Sequence, residues 1–283
     1  MSNLGEKNPY APILTKLVKT WVEGSQDKVK NMLLDFISVE DRVGFSHKPG
    51  QFCMLSISGC SETPFTIASS PAEDSDGILF VIEEKGSFTE AFYNAEVGST
   101  VLMRGPLGKP FPIQEFLGRD ILIVGDKGHL APVRALLQYI IHPQQRGDFG
   151  LISVVLGHDA PSLLTAEQVE KIDEIGSIRI SQLSRSVANE IEHARSLISA
   201  IREVSPEPSN SCAIMSCDNT TLPYLMRGVA EMGFDPVRVL FIINRAIRCG
   251  VGKCGRCNIG HRFTCIDGPA FSLKELEKLK FDV

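Results

Sequence analysis

The 283-residue sequence predicts a β barrel, then a doubly wound parallel-sheet α/β domain, then a small metal-binding lobe. Three observations predict this. Residues 1–115 read as short strands broken by Gly and Pro at roughly ten-residue spacing, the habit of barrels and sandwiches. Residues 116–244 alternate buried-strand runs with helical stretches, which implies a parallel sheet covered by helices. Residues 245–283 concentrate cysteine in a short glycine-rich loop.

Each element follows from local pattern. In the first segment the strand runs are Lys28–Ile37, Gln51–Ile57, Phe65–Ser69, Gly77–Ile82 and Thr100–Arg104, with turn signals at Lys48-Pro49-Gly50 and Gly105-Pro106-Leu107-Gly108. The second opens on the apolar run Asp120–Gly125, followed by a helix over Ala131–Ile141. Strand Leu151–Leu156, helix Thr165–Ile175, strand Ile178–Leu183 and helix Val187–Val204 come next. Strand Cys212–Cys217, helix Thr221–Met232 and strand Val237–Ile243 complete the alternation. Ser205–Asn210 is a loop within it, since the pattern resumes beyond. The chain ends in a charged helix, Ser272–Lys280.

Composition narrows the function classes. Hydrophobic residues are 43% and charged residues 22% of the chain, a globular balance. Lys and Arg number 29 against 34 Asp and Glu, a net charge of −5, so no basic excess neutralises nucleic-acid phosphates. No apolar run of spanning length occurs, and Met1–Lys7 lacks the pattern of an export signal. A cytoplasmic protein is expected. Eight cysteines in a chain able to build a full core argue against disulfide staples.

Four of those cysteines carry the strongest signal. Cys249, Cys254 and Cys257 are spaced C-x4-C-x2-C, and Cys265 follows. This resembles the plant-type [2Fe–2S] arrangement, in which one tight loop and one more distant position supply four thiolates. Gly250, Gly252 and Gly255 let the backbone wrap close and aim N–H groups at sulfur. Structural zinc is the competing reading, but zinc favours paired C-x2-C knuckles. Cys53, Cys60, Cys212 and Cys217 are scattered and read as small buried hydrophobes.

Upstream, Thr63-Pro64-Phe65-Thr66-Ile67-Ala68-Ser69-Ser70 and Gly86-Ser87-Phe88-Thr89 are two further motifs. Together with Lys48–Phe52, Arg104–Gly108 and Arg248–Pro269, they make the chain resemble one branch of the ferredoxin-reductase-like superfamily. That branch includes the gamma subunits of cytosolic [NiFe] hydrogenases (sulfhydrogenases), the electron-transfer subunits of dihydroorotate dehydrogenase and the small subunit of the bifurcating transhydrogenase. The resemblance runs from about Asn8 to Phe271. It implies an FAD-binding barrel, with Thr66 near the reactive flavin nitrogen and the Pro64–Thr66 backbone flanking the ring. It also implies that Gly86, Ser87 and Thr89 bind the flavin pyrophosphate. Thr63 stands where many members carry an arginine, so one charge-assisted bond to the pyrophosphate is missing.

The resemblance further implies an NAD(P) site in the α/β domain, and there the sequence departs from the family. Before Leu130-Ala131-Pro132 the family has a glycine-rich turn that admits a phosphate to backbone N–H groups. Asp126, Lys127 and His129 fall on its glycine positions. Ser216-Cys217-Asp218-Asn219 replaces a Cys-Gly-Pro-Pro run beside the nicotinamide, and Asn244 replaces an acid. Three elements of one pocket have changed while the cysteine loop has not. Loss of NAD(P) binding is expected; a reshaped nucleotide site using Lys127 and His129, or a different cofactor, is the alternative.

The resulting expectation is an electron-transfer subunit of an oxidoreductase complex. It carries FAD and a [2Fe–2S] cluster and serves partner subunits with iron–sulfur, flavin or hydrogenase centres. A working NAD(P)H:acceptor reductase and a flavin-free iron–sulfur scaffold are the two alternatives. No Ser/His/Asp set or paired catalytic carboxylates stand out.

Overall fold

The computed structural model describes residues 8–23, 29–73, 77–83, 87–126, 129–157, 178–183, 189–204 and 206–281. Six strands form the first sheet: β1 (Ile13–Glu23), β2 (Val29–Phe36), β3 (Phe52–Ile57), β4 (Thr63–Thr66), β5 (Ile78–Glu83) and β6 (Thr100–Leu107). They pair in the order β4-β3-β6-β1-β2-β5. An antiparallel bridge from Ile67 to Phe80 joins the two ends and closes the sheet into a barrel. Leu17, Met32, Leu34, Cys53, Leu55, Ile67, Phe80, Ile82 and Met103 fill its interior. A fully buried Leu or Ile of this kind contributes about 1.5–3 kcal/mol relative to exposure.

Strand β1 has no counterpart among the sequence-predicted strands, and the reason is chemical. Its inward residues Thr15 and Leu17 are buried, but the outward Leu14, Val18 and Val22 are apolar as well. The period-2 contrast that marks a half-buried strand is therefore weak. Two short helices also escape the sequence reading: α1 (Val39–Gly44), capped by the Ser38 side chain, and α2 (Ser87–Tyr93).

The second sheet contains β7 (Asp120–Gly125), β8 (Ile152–Leu156), β9 (Ile178–Gln182), β10 (Ser211–Ser216) and β11 (Val239–Ile242), all parallel. Helices α3 (Ala131–Ile141), α4 (Glu190–Glu203) and α5 (Leu222–Glu231) accompany it. Helix α3 starts with Pro132, whose missing N–H is unneeded in a first turn. It buries Val133, Leu136, Leu137 and Ile140 against β7, β8 and β10. The predicted helix over 165–175 lies outside the described residues.

After β11 the chain leaves the sheet to make the cysteine loop. It then forms a two-residue hairpin, β12 (Asn258–Ile259) with β13 (Arg262–Phe263), and a short helix, α6 (Thr264–Asp267). It returns as β14 (Ala270–Ser272), antiparallel to β11 at the sheet edge. Helix α7 (Leu273–Lys278) follows, with a Ser272/Glu275 capping box. Although rich in charge, α7 buries Leu273 and Leu276 in the α/β core. The cysteine loop is thus held at both ends by one sheet.

Candidate functional site

The loop Cys249–Cys257 brings the four sequence-predicted thiols together in two pairs. Cys249 lies within hydrogen-bond reach of the Cys254 thiol, and Cys265 within reach of the Cys257 thiol. Among the described residues no three metal-binding side chains converge on a single-ion site. Cys257 and Cys265 are buried, Cys249 is half-buried and Cys254 is exposed.

Backbone N–H groups point at these sulfurs. Lys253 N–H donates to Cys249 Sγ at 3.3 Å, Cys254 N–H to the same sulfur at 3.4 Å, and Gly252 N–H to Cys265 Sγ at 3.2 Å. Burial raises the Cys249 thiol, but the N–H donors of Val251, Cys254 and Lys253 and the Cys254 thiol outweigh it and bring it to about 6. Cys265 moves the other way, to about 12, through burial and its hydrogen bond with Cys257. Tight wrapping explains two glycines. Gly250 and Gly252 have φ of +73° and +71°, and a Cβ would come within 2.8 Å of Leu107 or of Ile266 respectively.

The loop is seated on the barrel. Cys257 and Cys265 pack with Phe52 and Met54 of β3, with Leu107 alongside. Met54 pairs through the backbone with Pro64 of β4, so one residue separates the thiol loop from the predicted flavin strand. Arg104 adds a polar tie that the sequence reading passed over. Its guanidinium is buried and donates to Cys249 O at 3.0 Å, to Pro9 O at 3.1 Å and to both Glu62 oxygens at 2.9 and 2.8 Å. Glu62 immediately precedes β4. The Glu62 hydrogen bonds, acting against burial, hold the Arg104 guanidinium above its ordinary value. The sequence marked Arg104–Gly108 as a stretch that carries the family resemblance, but assigned the guanidinium no partner.

On β4 the Phe65 side chain points into the barrel, Pro64 and Thr66 are part-exposed on the other face, and Thr63, on the side of Phe65, is part-exposed at the strand's start. Phe65 meets Phe92 of α2 edge-on, with ring centroids 5.0 Å apart. That contact sets the strand of Pro64 and Thr66 beside the helix that carries Thr89. Gly86 and the side chain of Ser87 lie outside the described residues. Across the domain boundary, Arg134 of α3 donates to Ala68 O at 2.6 Å and pairs with Glu73 at 2.9 Å. A cavity of 320 Å³ lined by Phe36, Arg42, His47 and Glu73 sits at the start of β5 and touches none of the predicted site residues.

At the carboxyl ends of β7, β10 and β11, where an α/β sheet receives a ligand, the altered residues bond to one another. His129 Nε2 lies 2.7 Å from Asp218 Oδ1, and its Nδ1 lies 3.0 Å from Asn244 Nδ2. Asn219 Nδ2 donates to Asn244 O at 2.7 Å, and Asn244 N–H returns a bond to Asn219 Oδ1 at 3.3 Å. Asp126, buried, lies 2.7 Å from His193 Nε2 through Oδ2, and its Oδ1 has no partner. The sequence singled out five of these six residues but not His193, which reaches them from α4. Lys127 lies outside the described residues.

The remaining cysteines are spread through the cores. Cys53, Cys212 and Cys217 are buried and Cys60 is half-buried. Burial raises the Cys53 thiol, and it raises Cys212 to about 11, so neither is a nucleophile at neutral pH. Among the described residues no helix is long and apolar enough to cross a membrane.

Known proteins resemble this chain both over its cysteine-rich segment and over most of its length. A family model described as the iron–sulfur cluster binding domain of dihydroorotate dehydrogenase B covers residues 244–277. The chain is 28% identical to the sulfhydrogenase 1 subunit gamma of Pyrococcus furiosus, over 94% of this chain and 92% of that protein. It is 30% identical to a probable dihydroorotate dehydrogenase B (NAD(+)) electron transfer subunit of Methanopyrus kandleri, over 83% and 82% respectively. Among solved structures, a chain of an NADH-dependent reduced ferredoxin–NADP oxidoreductase, studied for flavin-based electron bifurcation, superposes with TM-score 0.69 at 18% identity. That alignment covers 96% of this chain and 93% of the other. A ferredoxin NADP+ reductase from Neisseria gonorrhoeae superposes with TM-score 0.63 at 14% identity, over 81% and 97%. The barrel and the α/β domain are therefore ferredoxin-reductase-like, and the chain belongs to the family of dihydroorotate dehydrogenase B electron-transfer subunits and sulfhydrogenase gamma subunits.

Proposed function

We propose that this chain is the FAD- and [2Fe–2S]-carrying electron-transfer subunit of a cytoplasmic oxidoreductase complex, and that it works without NAD(P). The observation that carries the reading is the convergence of Cys249, Cys254 and Cys257 of one loop with Cys265 of α6, seated against the barrel and met by backbone N–H groups. The N–H groups of Gly252, Lys253 and Cys254 favour thiolate charge at Cys249 and Cys265, as a cluster requires.

Residues 1–115 are the flavin barrel in this reading, 116–244 the altered nucleotide domain and 245–283 the cluster lobe. Bound FAD supplies two-electron chemistry and a [2Fe–2S] cluster one-electron transfer. Pro64 and Thr66 present the open face of β4 to the ring, with Thr66 Oγ1 the hydroxyl nearest its reactive edge. Gly86, Ser87 and Thr89 bind the pyrophosphate. Met54 keeps the ring's strand and the thiol loop in contact and excludes water between them.

Support for the loss of NAD(P) comes from the sheet ends. His129, Asp218, Asn219 and Asn244 spend their polar groups on one another across three loops. Asp126, buried against His193, puts a side chain on a turn where the family's glycine lets a phosphate reach backbone N–H groups. Opening the network for a dinucleotide breaks several hydrogen bonds at about 0.5–1.5 kcal/mol each.

Anaerobic titration of the purified chain tests this directly. Dithionite is expected to bleach the flavin band, while NADH and NADPH in excess leave it unchanged. Rapid bleaching by either nucleotide would restore the reductase reading, and the absence of any flavin band would favour the scaffold.

A further inference from the structure

Thr264 and Cys257 face each other where the small hairpin opens. Ile259 pairs with Arg262 and Asn258 with Phe263, and the next step outward sets Cys257 opposite Thr264, whose N–H donates to Cys257 O at 3.0 Å. Residues directly opposite in an antiparallel ladder carry their side chains on one face, with Cβ atoms about 4.5–5.5 Å apart. The Thr264 side chain therefore stands beside the Cys257 thiol, and Cys265 is the next residue along the chain. All three residues are buried. Both backbone groups of Thr264 are engaged, the N–H with Cys257 and the carbonyl with Gly268 N–H at 3.2 Å. Its hydroxyl is not. Among the described residues four buried side-chain polar atoms have no hydrogen-bond partner, and Thr264 Oγ1 is the one at the cysteine loop.

We infer that the Thr264 hydroxyl is a hydrogen-bond donor to the sulfur of the bound cluster on its Cys257 side, and that it raises the cluster's reduction potential. The inference deepens the proposed function and rests on its iron–sulfur reading. A hydroxyl taken out of water without a partner opposes folding, and valine would fill the same space with no polar atom to leave unpaired. An acceptor that arrives with the cofactor satisfies the oxygen. Backbone N–H groups already serve Cys249 and Cys265, and the hydroxyl does the same at the buried Cys257 corner. Reduction adds one electron to the cluster and with it negative charge on sulfur. A donor aimed at that sulfur stabilises the reduced form more than the oxidised one. Burial strengthens the effect, since the local dielectric is low.

The test is a dithionite redox titration of the full chain, purified without oxygen and carrying its cofactors, followed by the paramagnetic signal of the reduced cluster. Thr264→Val removes the hydroxyl at nearly unchanged volume, and Thr264→Ser keeps it. At the midpoint potential of the unmodified chain, the reduced-to-oxidised ratio in Thr264→Val is expected to fall about tenfold, a shift of about 59 mV for one electron. Thr264→Ser is expected to recover most of it. Electron–nuclear double resonance in deuterium oxide reads the contact itself. One exchangeable proton coupled to the cluster is expected in the unmodified chain and in Thr264→Ser, and is missing in Thr264→Val. If Thr264→Val loses the cluster, Thr264→Ala carries the same comparison. An unshifted potential, a shift that Thr264→Ser fails to reverse, or identical exchangeable-proton spectra would each overturn the hydroxyl's role and leave the cluster reading intact. Loss of the cluster from Thr264→Ser as well would make Thr264 a packing residue and do the same. An unmodified chain without the cluster signal would overturn both.

Discussion

Replacing Cys257 with alanine is expected to lower bound iron at least about tenfold, whereas Cys212→Ala leaves it unchanged. Weakening only the surroundings of a metal ligand costs about 10- to 100-fold in affinity, and removing a thiolate does more. Cys257 is buried beside Cys265, so alanine leaves one metal of the pair with a single protein sulfur. Cys53, Cys212 and Cys217 are not placed to substitute: Cys53 faces the barrel interior and the other two lie in the α/β core. Iron and sulfide analysis of both variants, purified without oxygen, checks the contrast. Equal iron in the two would refute the assignment of ligands.

Arg104→Leu is expected to destabilise the chain by about 1–3 kcal/mol, chiefly from leaving the part-buried Cys249 carbonyl without its donor. Glu62 adds little to this cost, because its side chain is 40% exposed and returns to water. The defect should concentrate at the loop: the cluster bleaches faster under a chelator, and urea unfolding shows the loss of stability. Arg104→Lys keeps the charge but not the planar fork that serves four acceptors at once, so it should recover only part. Unchanged urea stability in Arg104→Leu would remove the arginine from the account.

The parts legible in the sequence were those written in local pattern. Helix α3 and the parallel strands follow from apolar runs and their punctuation, and the four thiols from spacing alone. Strand β1 was hidden because both of its faces carry apolar residues. The long-range ties were hidden for a different reason. Arg104 meets Cys249 across 145 positions of chain and His193 meets Asp126 across 67, and no local period records such pairs. The changes at Asp126, His129, Asp218, Asn219 and Asn244 were visible one by one. That four of them satisfy one another became visible only once the sheet ends were brought together.

The central claim is that Cys249 with Cys254, and Cys257 with Cys265, each hold one iron of a binuclear cluster. The most direct measurement is metal and acid-labile sulfide analysis, with Mössbauer spectroscopy, on the chain purified without oxygen. Two irons and two sulfides per chain, with both irons in tetrahedral sulfur sites, is the predicted result. One zinc per chain, or disulfides within the two pairs, would contradict it.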